Sequence, residues 1–414
     1  MTIYAEHLTY LYLMTLAAKP IYLDYHATTP VDARVLEIML PWFSDHFGNP
    51  ASRSHAYGWQ ASEAVELARS QTASLMGAEA RSIYFTSGAT EGLNMAIKGT
   101  AEWLGSSGRH VISVSTEHHA VIDSLKWLAS KGYEVTSLHV DAEGRLDLNL
   151  LQSSIRNDTV MVVVMWANNE TGVIQDMAAI GRICRESGIL LICDATQAVG
   201  KIMVSPEANG IDILAFSAHK MYGPKGAGAL YLNPSNRKAR PAPLIHGGGH
   251  EGGLRSGTLN VPGIVGLGAA AEIRNSEMSA DYLKLKAIRD HFESTVLATV
   301  PNVLVNGHAE YRLPSVSNLR VMGVDSQAVM SRFRTKLAIS SGSACSSADP
   351  EPSHVLLAMG LTTSEAKGSF RVSFGVPTTS EEVEQAAVIF REAIEAEREI
   401  SPLWLMFRQG IDIS

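Results

Sequence analysis

The residues most able to do covalent chemistry stand together in one short turn, Ser217-Ala218-His219-Lys220. An apolar run, 211–216, leads into the turn and a second one, 226–232, follows it, so both flanks are predicted to be buried strands. A lysine at the end of a buried strand can form a Schiff base with a carbonyl carbon when partial desolvation lowers its pKa. The alternative is a solvated loop lysine beside an ordinary histidine, because lysine is mostly exposed in proteins.

Polar residues also end four other predicted strands, and α/β sheets place their active sites at the carboxyl ends of their strands. The four stretches are 87–92, 116–119, 168–172 and 194–197. In the first, the backbone around Ala89 and Thr90 suits a phosphate cradle at a helix start, and it equally suits a plain helix cap. That stretch is neither a P-loop nor a G-x-G-x-x-G element.

The other strand ends also have two interpretations each. The imidazole of His118 or of His119 could stack on an aromatic ligand or face solvent, and ordinary turn chemistry explains the asparagines at 168–169. A carboxylate at the end of an apolar strand, such as Asp194, is costly unless a cation pairs with it, and a protonated pyridine nitrogen is a suitable cation. Five such ends in register are more than turn statistics explain, so we expect one shared site.

The elements that must position these turns alternate between strands and helices from about residue 60 onward. Strands are predicted at 82–86, 110–115, 134–139, 160–166, 189–193, 213–216 and 226–232. Helices are predicted at 59–76, 90–98, 119–131, 147–157 and 177–187. Near-continuous apolar strands separated by helices indicate a mostly parallel sheet that is covered on both faces.

After Val261-Pro262-Gly263 the pattern changes to that of a smaller α+β unit. A helix at 269–274 and a charged helix at 281–299 are followed by half-exposed strands near 302–306, 315–321 and 369–374 and a helix at 380–398. Thr379 and Glu382 have the spacing of a capping box at the start of the last helix. We therefore divide the chain into an N-terminal segment (1–30) that packs with the small domain, a large domain (31–275) and a small C-terminal domain (276–414).

Length and composition exclude several classes of protein. A chain of 414 residues with 46% hydrophobic residues can bury two cores, and a net charge of −8 gives no general attraction for nucleic acid or an anionic membrane. Three cysteines fit a reducing compartment. Residues 1–18 are a poor signal peptide or membrane span, and residues 1–13 are interpreted as an over-called start or a disordered extension. We expect a soluble cytoplasmic protein.

Several motifs give the chain a recognisable likeness. They include Leu-Asp-Tyr-His-Ala-Thr-Thr-Pro at 23–30, Phe-Gly-Asn-Pro-Ala-Ser-Arg-Ser-His at 47–55, Thr-Ser-Gly-Ala-Thr-Glu at 86–91 and His-Gly-Gly-Gly-His-Glu at 246–251. With them the chain resembles, from about Ile21 to Asp412, the cysteine desulfurases of the iron–sulfur-cluster-assembly (IscS/NifS-like) branch of the class V aminotransferase group. The resemblance implies a fold-type I pyridoxal-phosphate enzyme and a homodimer. His26 stands where relatives carry a small residue.

The resemblance implies a role around pyridoxal 5′-phosphate for each strand-end residue. Lys220 would hold the cofactor covalently and move the α-proton of the substrate, and Asp194 would keep the pyridine nitrogen protonated. His118 would stack on the ring and is also implied as a proton shuttle. The other implied contacts are those of Asn169 and Gln197 with the ring oxygen, of Asn169 and Arg371 with the substrate carboxylate, and of Ala89, Thr90, Ser217 and His219 with the phosphate.

A cysteine within a run of small residues, 340–348, distinguishes among functions. Free cysteine is often buried, but the flanks of Cys345 are too small and polar for a core strand, so we interpret it as a reactive thiol on a mobile loop. The run matches the Ser-Ser-Gly-Ser-Ala-Cys loop of the cluster-assembly branch. The resemblance implies that Cys345 attacks the sulfur of bound L-cysteine, which leaves L-alanine and a Cys345 persulfide. Cys184 and Cys193 are expected in the core.

The resemblance also implies partners. Thr258 resembles a threonine that reaches the phosphate in the partner subunit, and the apolar tail 401–414 resembles a segment that docks the iron–sulfur scaffold protein. The Cys345 loop would deliver sulfur to the scaffold and to other acceptors, with tRNA thiolation among the uses of the sulfur, and could be a transient cluster ligand. His246, His250 and Glu251 could suggest a metal, but three consecutive glycines favour a close backbone turn, so no resident metal is expected.

Two other functions have to be distinguished from a desulfurase. One is a selenocysteine lyase or a serine-type aminotransferase, and Cys345 argues against the aminotransferase because transamination needs no thiol. The other is a sulfur-relay scaffold without turnover, against which the presence of both Lys220 and Cys345 argues.

Overall fold

The computed structural model describes residues 19–105, 107–341 and 351–411. The predictions made for residues 1–13, for Cys345 and for the last three residues of the tail lie outside the described residues.

Seven of the strands form one large sheet in the order β2-β8-β7-β6-β5-β3-β4. In chain order the strands are β1 Ile21–Tyr22, β2 Ile83–Thr86, β3 His110–Val114, β4 Glu134–Leu138, β5 Thr159–Met165, β6 Leu190–Asp194, β7 Ile213–Ser217, β8 Gly228–Leu232, β9 Val303–Val305, β10 Val316–Val321, β11 Leu337–Ala338 and β12 Ser369–Ser373. Strand β8 is antiparallel to both its neighbours, and the other pairs in the sheet are parallel. The mostly parallel sheet predicted from the apolar runs is thus confirmed.

Helices cover both faces of this sheet. In chain order the described helices are α1 Ala33–Met39, α2 Pro41–Ser44, α3 Ala56–Leu75, α4 Ala89–Asn94, α5 Thr100–Leu104, α6 His119–Ser130, α7 Leu148–Ser154, α8 Met177–Glu186, α9 Val261–Thr299, α10 Ser326–Phe333, α11 His354–Ala358, α12 Thr363–Lys367, α13 Ser380–Ile400 and α14 Pro402–Arg408. A π-helical turn, Met95–Gly99, joins α4 to α5. Successive residues of strand β5, such as Val162 and Val163, place their side chains in two different cores, because successive side chains of a strand point to opposite faces.

A second sheet, β12-β10-β9, is antiparallel throughout and has its own core. Phe370 on β12 and Phe390 on α13 meet edge to face in this core, with ring centroids 5.0 Å apart. The Thr379 hydroxyl and the Glu382 carboxylate form the predicted capping box at the start of α13. The N-terminal strand β1 pairs in parallel with β11, and Asp24 bridges to Ser373 on β12. Residues 21–24 therefore lie next to the second sheet.

The prediction of two helices, at 269–274 and 281–299, is wrong, because the structure has a single helix, α9, of 39 residues. Its first half packs in the core of the large sheet, and its second half supplies Phe292 to the core of the second sheet. The polar stretch between the halves continues the helix because the buried guanidinium of Arg274 binds the carboxylates of Glu277 and Asp281 one and two turns on. The domain boundary at 275/276 falls inside this helix and stays a prediction.

None of the helices within 19–105, 107–341 and 351–411 is both long and apolar enough to cross a lipid bilayer.

Candidate active site

A cavity of about 240 Å³ lies where strands β5, β6 and β7 of the large sheet end. The side chains that line it come from the N-terminal segment, from the turns after these strands, from α4 and α6, and from β12. They are His26, Ala27, Ala89, Thr90, Leu93, His118, Ala120, Met165, Ala167, Asn169, Asp194, Thr196, Gln197, Ser217, His219, Lys220 and Arg371.

The cavity brings together nearly all residues that the sequence had singled out. These are Lys220, His118, Ala89, Thr90, Asn169, Asp194, Gln197, Ser217, His219 and Arg371. Thr258 is exposed and does not line the cavity of this chain, and its assignment to a partner subunit stays a prediction. Cys345 lies outside the described residues.

The amine of Lys220 points back toward the N-terminal segment. Strand β7 ends at Ser217, and one turn of 3₁₀ helix, Ala218–Lys220, brings the lysine to the mouth of the sheet. Its Nζ donates to the backbone oxygens of His26, at 2.6 Å, and Ala27, at 2.8 Å. The solvated loop lysine, which the sequence left open, is therefore excluded.

The N-terminal segment clamps this turn in place. The Thr29 backbone N–H and hydroxyl both donate to the His219 oxygen, at 3.0 and 3.1 Å. The same hydroxyl accepts from the Tyr222 N–H at 2.9 Å, and Tyr222 has a positive φ of 67°. Such a φ is uncommon outside glycine and is held by surrounding contacts. The Lys220 turn thus depends on residues far away in the sequence.

Asp194, the last residue of β6, has one carboxylate oxygen occupied. Its Oδ1 accepts from the Thr196 N–H at 2.9 Å and from the Thr196 hydroxyl at 2.5 Å. Because both bonds go to Oδ1, the orientation of the carboxylate group is fixed. Asp194 also lines the cavity, so its other oxygen, Oδ2, suits a cation that enters there.

His118 forms the N-terminal cap of α6. Its Nδ1 accepts from the Ala120 N–H at 3.1 Å, so the proton of the neutral ring resides on Nε2. Burial lowers the pKa of His118 below its usual value, and the nearby positive charge of Lys220 lowers it further, against the opposing charge of Asp194. The ring is therefore neutral at physiological pH and can accept or donate a proton.

The turn between β2 and α4 leaves no room for larger side chains. Gly88 has a φ of +154°, and a Cβ there would lie 3.2 Å from the Ser217 hydroxyl. A Cβ on Gly228 of the neighbouring strand would lie 2.6 Å from the Gly88 Cα. This close approach lets the Ala89 N–H donate to the Ser217 hydroxyl at 2.7 Å, which gathers backbone N–H groups and hydroxyls at one end of the cavity.

His219 stands at the same end of the cavity. Its Nδ1 lies 3.1 Å from the Thr28 hydroxyl. Burial lowers the pKa of His219 to about 4, with further contributions from the charges of Lys220, Lys225 and Lys201. The nearby lysine charges disfavour an additional cation at His219 and favour a bound anion.

At the opposite end, Arg371 on β12 is 1% exposed and lines the cavity. Its Nη2 pairs with the Asp24 carboxylate at 2.8 Å, and its Nη1 donates to the Asn169 backbone oxygen at 3.1 Å. The Arg371 Nε is buried and has no hydrogen-bond partner among the described residues. A buried donor without a partner is costly, so this guanidinium is suited to an incoming carboxylate.

Sequence reasoning missed part of the lining. The missed residues are His26, Ala27, Leu93, Ala120, Met165, Ala167 and Thr196. Of these, Thr196 had a signal, because a threonine two residues after a strand-end aspartate can hydrogen-bond to that carboxylate. His26 reaches the site from the N-terminal segment, where its Nδ1 donates to the Asn169 oxygen at 3.2 Å and its Nε2 lies 3.3 Å from the Ser315 hydroxyl.

In the glycine-rich stretch 246–251, the carboxylate of Glu251 has partners other than a metal. The Glu251 carboxylate binds the Arg69 guanidinium through two bonds of 2.8 Å and accepts from the Phe85 N–H at 2.7 Å. In the part of the chain that the structure describes, no group of three histidine, cysteine, aspartate or glutamate residues could hold a metal ion. Glu251 thus anchors the stretch to α3 and β2.

Glu170, next to Asn169, gives the site region a pH-dependent stability. It is 3% exposed, its Oε2 accepts from the Ser353 hydroxyl at 2.5 Å, and burial raises its pKa from 4.5 to about 7. Between these values the folded chain holds a proton that the unfolded chain has lost. Its contribution to stability is therefore complete below pH 4.5 and is lost as the pH rises through 7.

We expect Glu170→Gln to flatten this dependence, because glutamine stays neutral and still accepts from Ser353. Over that window the unaltered chain should lose about 2–3 kcal/mol of unfolding free energy relative to the variant. Urea unfolding at a series of pH values measures the difference. Glu63→Gln, at an exposed position, is the matched control, and equal pH slopes for the Glu170 variant and the unaltered chain would contradict the prediction.

Known proteins share this fold and its length. The family model of class-V aminotransferases matches residues 21–386. The cysteine desulfurase IscS of Anaeromyxobacter dehalogenans is 48% identical over 395 residues, which cover 95% of this chain and 97% of the relative. A solved NifS-like protein superposes with a TM-score of 0.84 at 35% identity, over 92% of this chain and 100% of the other. SspA, solved in complex with cysteine, superposes with a TM-score of 0.76 at 37% identity, over 86% of this chain and 99% of SspA.

The family match, over residues 21–386, includes both sheets and every residue that lines the cavity. Likeness of this extent fixes the fold as that of the fold-type I pyridoxal-phosphate enzymes, with a mostly parallel central sheet flanked by helices. The chain belongs to the class-V aminotransferase family, in the branch that holds the IscS and NifS-like proteins.

Proposed function

We propose that the chain is a pyridoxal-phosphate-dependent cysteine desulfurase that converts L-cysteine to L-alanine and carries the sulfur as a persulfide on Cys345. The observation that carries the proposal is the meeting of the Lys220 amine, the Asp194 carboxylate and the Arg371 guanidinium in one cavity. The names of the relatives, cysteine desulfurase IscS and SspA in complex with cysteine, support the choice of substrate.

The residues of the cavity fit pyridoxal 5′-phosphate. The free oxygen of Asp194 suits a protonated ring nitrogen, and the donors around Ala89 at the positive end suit a phosphate. The residues that would hold the cofactor are Ala89, Thr90, Ser217 and His219 at the phosphate, His118 against the ring, Asn169 and Gln197 at the ring oxygen, Asp194 at the ring nitrogen and Lys220 at the aldehyde carbon. When bound, the cofactor supplies an electron sink for the carbanion at Cα of the amino acid.

The protein's own groups then move the protons. Lys220 Nζ takes the proton from Cα of L-cysteine, and the two backbone oxygens that it contacts hold the amine in position. The neutral ring of His118, kept neutral by burial, serves as a second proton carrier. The Asp194 carboxylate is held in place by the two hydrogen bonds that its Oδ1 accepts from Thr196.

Sulfur transfer is assigned to Cys345. Its thiolate attacks the sulfur of bound L-cysteine, so that an S–S bond forms and the Cβ–S bond breaks. The electron pair left on Cβ is protonated and gives L-alanine, and the enzyme keeps a persulfide. Because the electron pair of the broken Cβ–S bond remains on Cβ, the step needs no external oxidant or reductant.

Arg371 is assigned to the substrate carboxylate. Arg371→Gln removes the charge and the paired donors, so we expect the KM for L-cysteine to rise by about 10²-fold or more. The KM of Arg371→Lys should lie between those of the unaltered chain and of Arg371→Gln, because lysine keeps the charge without the bidentate geometry. Initial rates over a range of L-cysteine concentrations measure the effect. Arg332→Gln at the Glu397 pair is the control, and an unchanged KM for Arg371→Gln would contradict the assignment.

The proposal extends to partners. We assign the chain to iron–sulfur cluster assembly, with tRNA thiolation as a further use of the sulfur, and propose a homodimer in which Thr258 reaches the phosphate of the partner subunit's cofactor. The tail that begins at Ser401 supports a scaffold-docking role, because Leu405 and Ile411 are exposed. The free thiols of Cys184 and Cys193 support a cytoplasmic location. The three-part division at residues 30 and 275 remains part of this proposal.

The products formed from L-cysteine test the function. A desulfurase releases L-alanine and, with a thiol reductant, an equal amount of sulfide, whereas a β-lyase releases pyruvate and ammonia with the sulfide. We expect alanine and no pyruvate from the cofactor-loaded chain. Pyruvate as the main product would overturn the desulfurase assignment, and alanine formed faster from selenocysteine than from cysteine would favour a selenocysteine lyase.

A further inference from the structure

A second lysine, Lys201, lies behind the cavity and has no part in the mechanism above. It does not line the cavity itself but a smaller one on the far side of His26, together with Tyr222 and Arg274. Its Nζ donates to Oε1 of Gln197, four residues earlier in the chain. Burial lowers the pKa of Lys201 well below its usual value, and the positive charges of Lys220 and Arg371 add to this effect. A lysine in such surroundings is costly unless it has a specific contact to make.

The contact with Lys201 completes a chain of hydrogen bonds around the Gln197 amide. On the other side of the amide, Gln197 Nε2 donates to the His26 backbone oxygen at 3.0 Å. That oxygen also accepts from Lys220 Nζ at 2.6 Å. The two lysines are therefore connected through one carbonyl oxygen and one amide.

These partners determine which way the amide faces. A backbone oxygen can only accept, so Nε2 must face His26, and Oε1 must then face Lys201, whose Nζ–H donates in either protonation state. Nε2 carries two N–H groups, and one of them is used by His26. The other is a donor that Gln197, as a lining residue, can present to the cavity.

We propose that Lys201 is a positioning residue that holds the Gln197 amide with its Nε2 toward the cavity, where it donates to the ring oxygen of pyridoxal phosphate. The inference rests on the proposed function, because it takes that cofactor as the occupant of the cavity. Without Lys201, only the His26 oxygen restrains the amide, and Oε1 is left buried without its donor. Lys201 acts through Gln197 and does not touch the cofactor.

A double-mutant cycle tests whether Lys201 acts through Gln197. Equilibrium dialysis gives the dissociation constant of pyridoxal phosphate for the unaltered chain, Lys201→Met, Gln197→Ala and the double variant. We expect each single variant to weaken binding by about tenfold. In the Gln197→Ala background, Lys201→Met should add less than about twofold. Lys336→Met, at an exposed lysine that lines neither cavity, is the matched control and should bind as the unaltered chain does.

Two results would overturn the inference. One is unchanged binding by Lys201→Met, and the other is the same loss with and without Gln197, which would make Lys201 an independent electrostatic contribution. The visible absorption band of the bound cofactor gives a second readout that a merely structural role would not move. Lys201→Met and Gln197→Ala should shift this band in the same direction, and opposite shifts would also contradict the inference.

Lys201→Arg keeps the test decisive should Lys201→Met fail to fold. Arginine retains a donor for Oε1, so the dissociation constant of pyridoxal phosphate for Lys201→Arg should stay within about threefold of the unaltered value. A loss of affinity as large as that of Gln197→Ala would overturn the inference. A failure of the proposed function has a different signature. In that case the unaltered chain itself would not bind pyridoxal phosphate, whatever residue stands at position 201.

Discussion

Lys220→Ala is expected to abolish the formation of alanine from L-cysteine, with a loss of at least about 10⁴-fold. Lys220 is the one lysine among the described residues that line the cavity, and its Nζ is held by the oxygens of His26 and Ala27. Alanine at this position has no amine to bind the cofactor covalently or to take the α-proton. Borohydride treatment followed by intact-mass analysis should then show cofactor fixed to the unaltered chain and none fixed to the variant.

Two further variants separate the amine from its charge. Lys220→Arg keeps a positive charge but cannot act as a nucleophile, because its guanidinium does not lose a proton in proteins, so it should be as inactive as Lys220→Ala. Lys336→Ala removes an exposed lysine that does not line the cavity and should leave both activity and cofactor attachment intact. Substantial turnover by Lys220→Arg would show that the charge, and not the nucleophile, is what the reaction needs.

Much of the large sheet could be predicted because its strands are apolar on both faces. Strand β5, Thr159–Met165, is buried along its whole length, so it reads as a continuous apolar run and its polar end marks the carboxyl edge of the sheet. The geometry of parallel sheets then brings Asn169, Asp194 and Lys220 together without further information. What each of these residues would bind came from the resemblance and not from the pattern.

The parts that could not be predicted depend on contacts between distant segments. His26 and Ala27 meet Lys220 across 194 and 193 positions of sequence, and nothing in their own neighbourhood indicates it. The length of α9 was missed for a related reason. The polar residues near Arg274 resemble a break between helices, whereas the ion pairs that Arg274 makes are satisfied only when the helix continues.

The contact of Lys201 with Gln197 has a local signal in the sequence, which is the spacing of the two residues. The two residues are four positions apart, and both follow directly on the strand that ends at Asp194. Such a spacing brings side chains together only when the intervening backbone is helical or turns tightly, which the sequence does not specify here. The structure supplies that turn, in which the Ala198 and Val199 N–H groups both donate to the Ala195 oxygen.

Cys345→Ala is expected to remove sulfur transfer while leaving the cofactor site intact. None of the described lining residues is altered, so pyridoxal phosphate and L-cysteine should still bind and change the absorption of the cofactor. Alanine formation should fall by at least about 10²-fold, since the Cβ–S bond breaks only when a thiolate attacks the sulfur. Mass analysis after exposure to L-cysteine should show one added sulfur atom on the unaltered chain and none on the variant.

The other two cysteines cannot take over this role. Burial raises the pKa of Cys184 to about 12 and that of Cys193 well above its usual value, so neither provides a thiolate at neutral pH. Ser340, five residues before Cys345, exchanges two backbone hydrogen bonds with Arg371, at 3.1 and 2.7 Å, and a chain of five residues spans at most about 18 Å. Five residues of chain therefore separate Cys345 from a backbone position that is hydrogen-bonded to Arg371.

Cys184→Ala is the matched control, because it removes a thiol that burial keeps protonated. It should keep both the release of alanine and the added sulfur atom. If Cys345→Ala instead released alanine and sulfide as fast as the unaltered chain, the bond to sulfur would be broken without a protein thiolate. The chemistry would then lie wholly in the described cavity, as in a selenocysteine lyase, and Lys220 and Arg371 would keep their assigned roles while the persulfide would not.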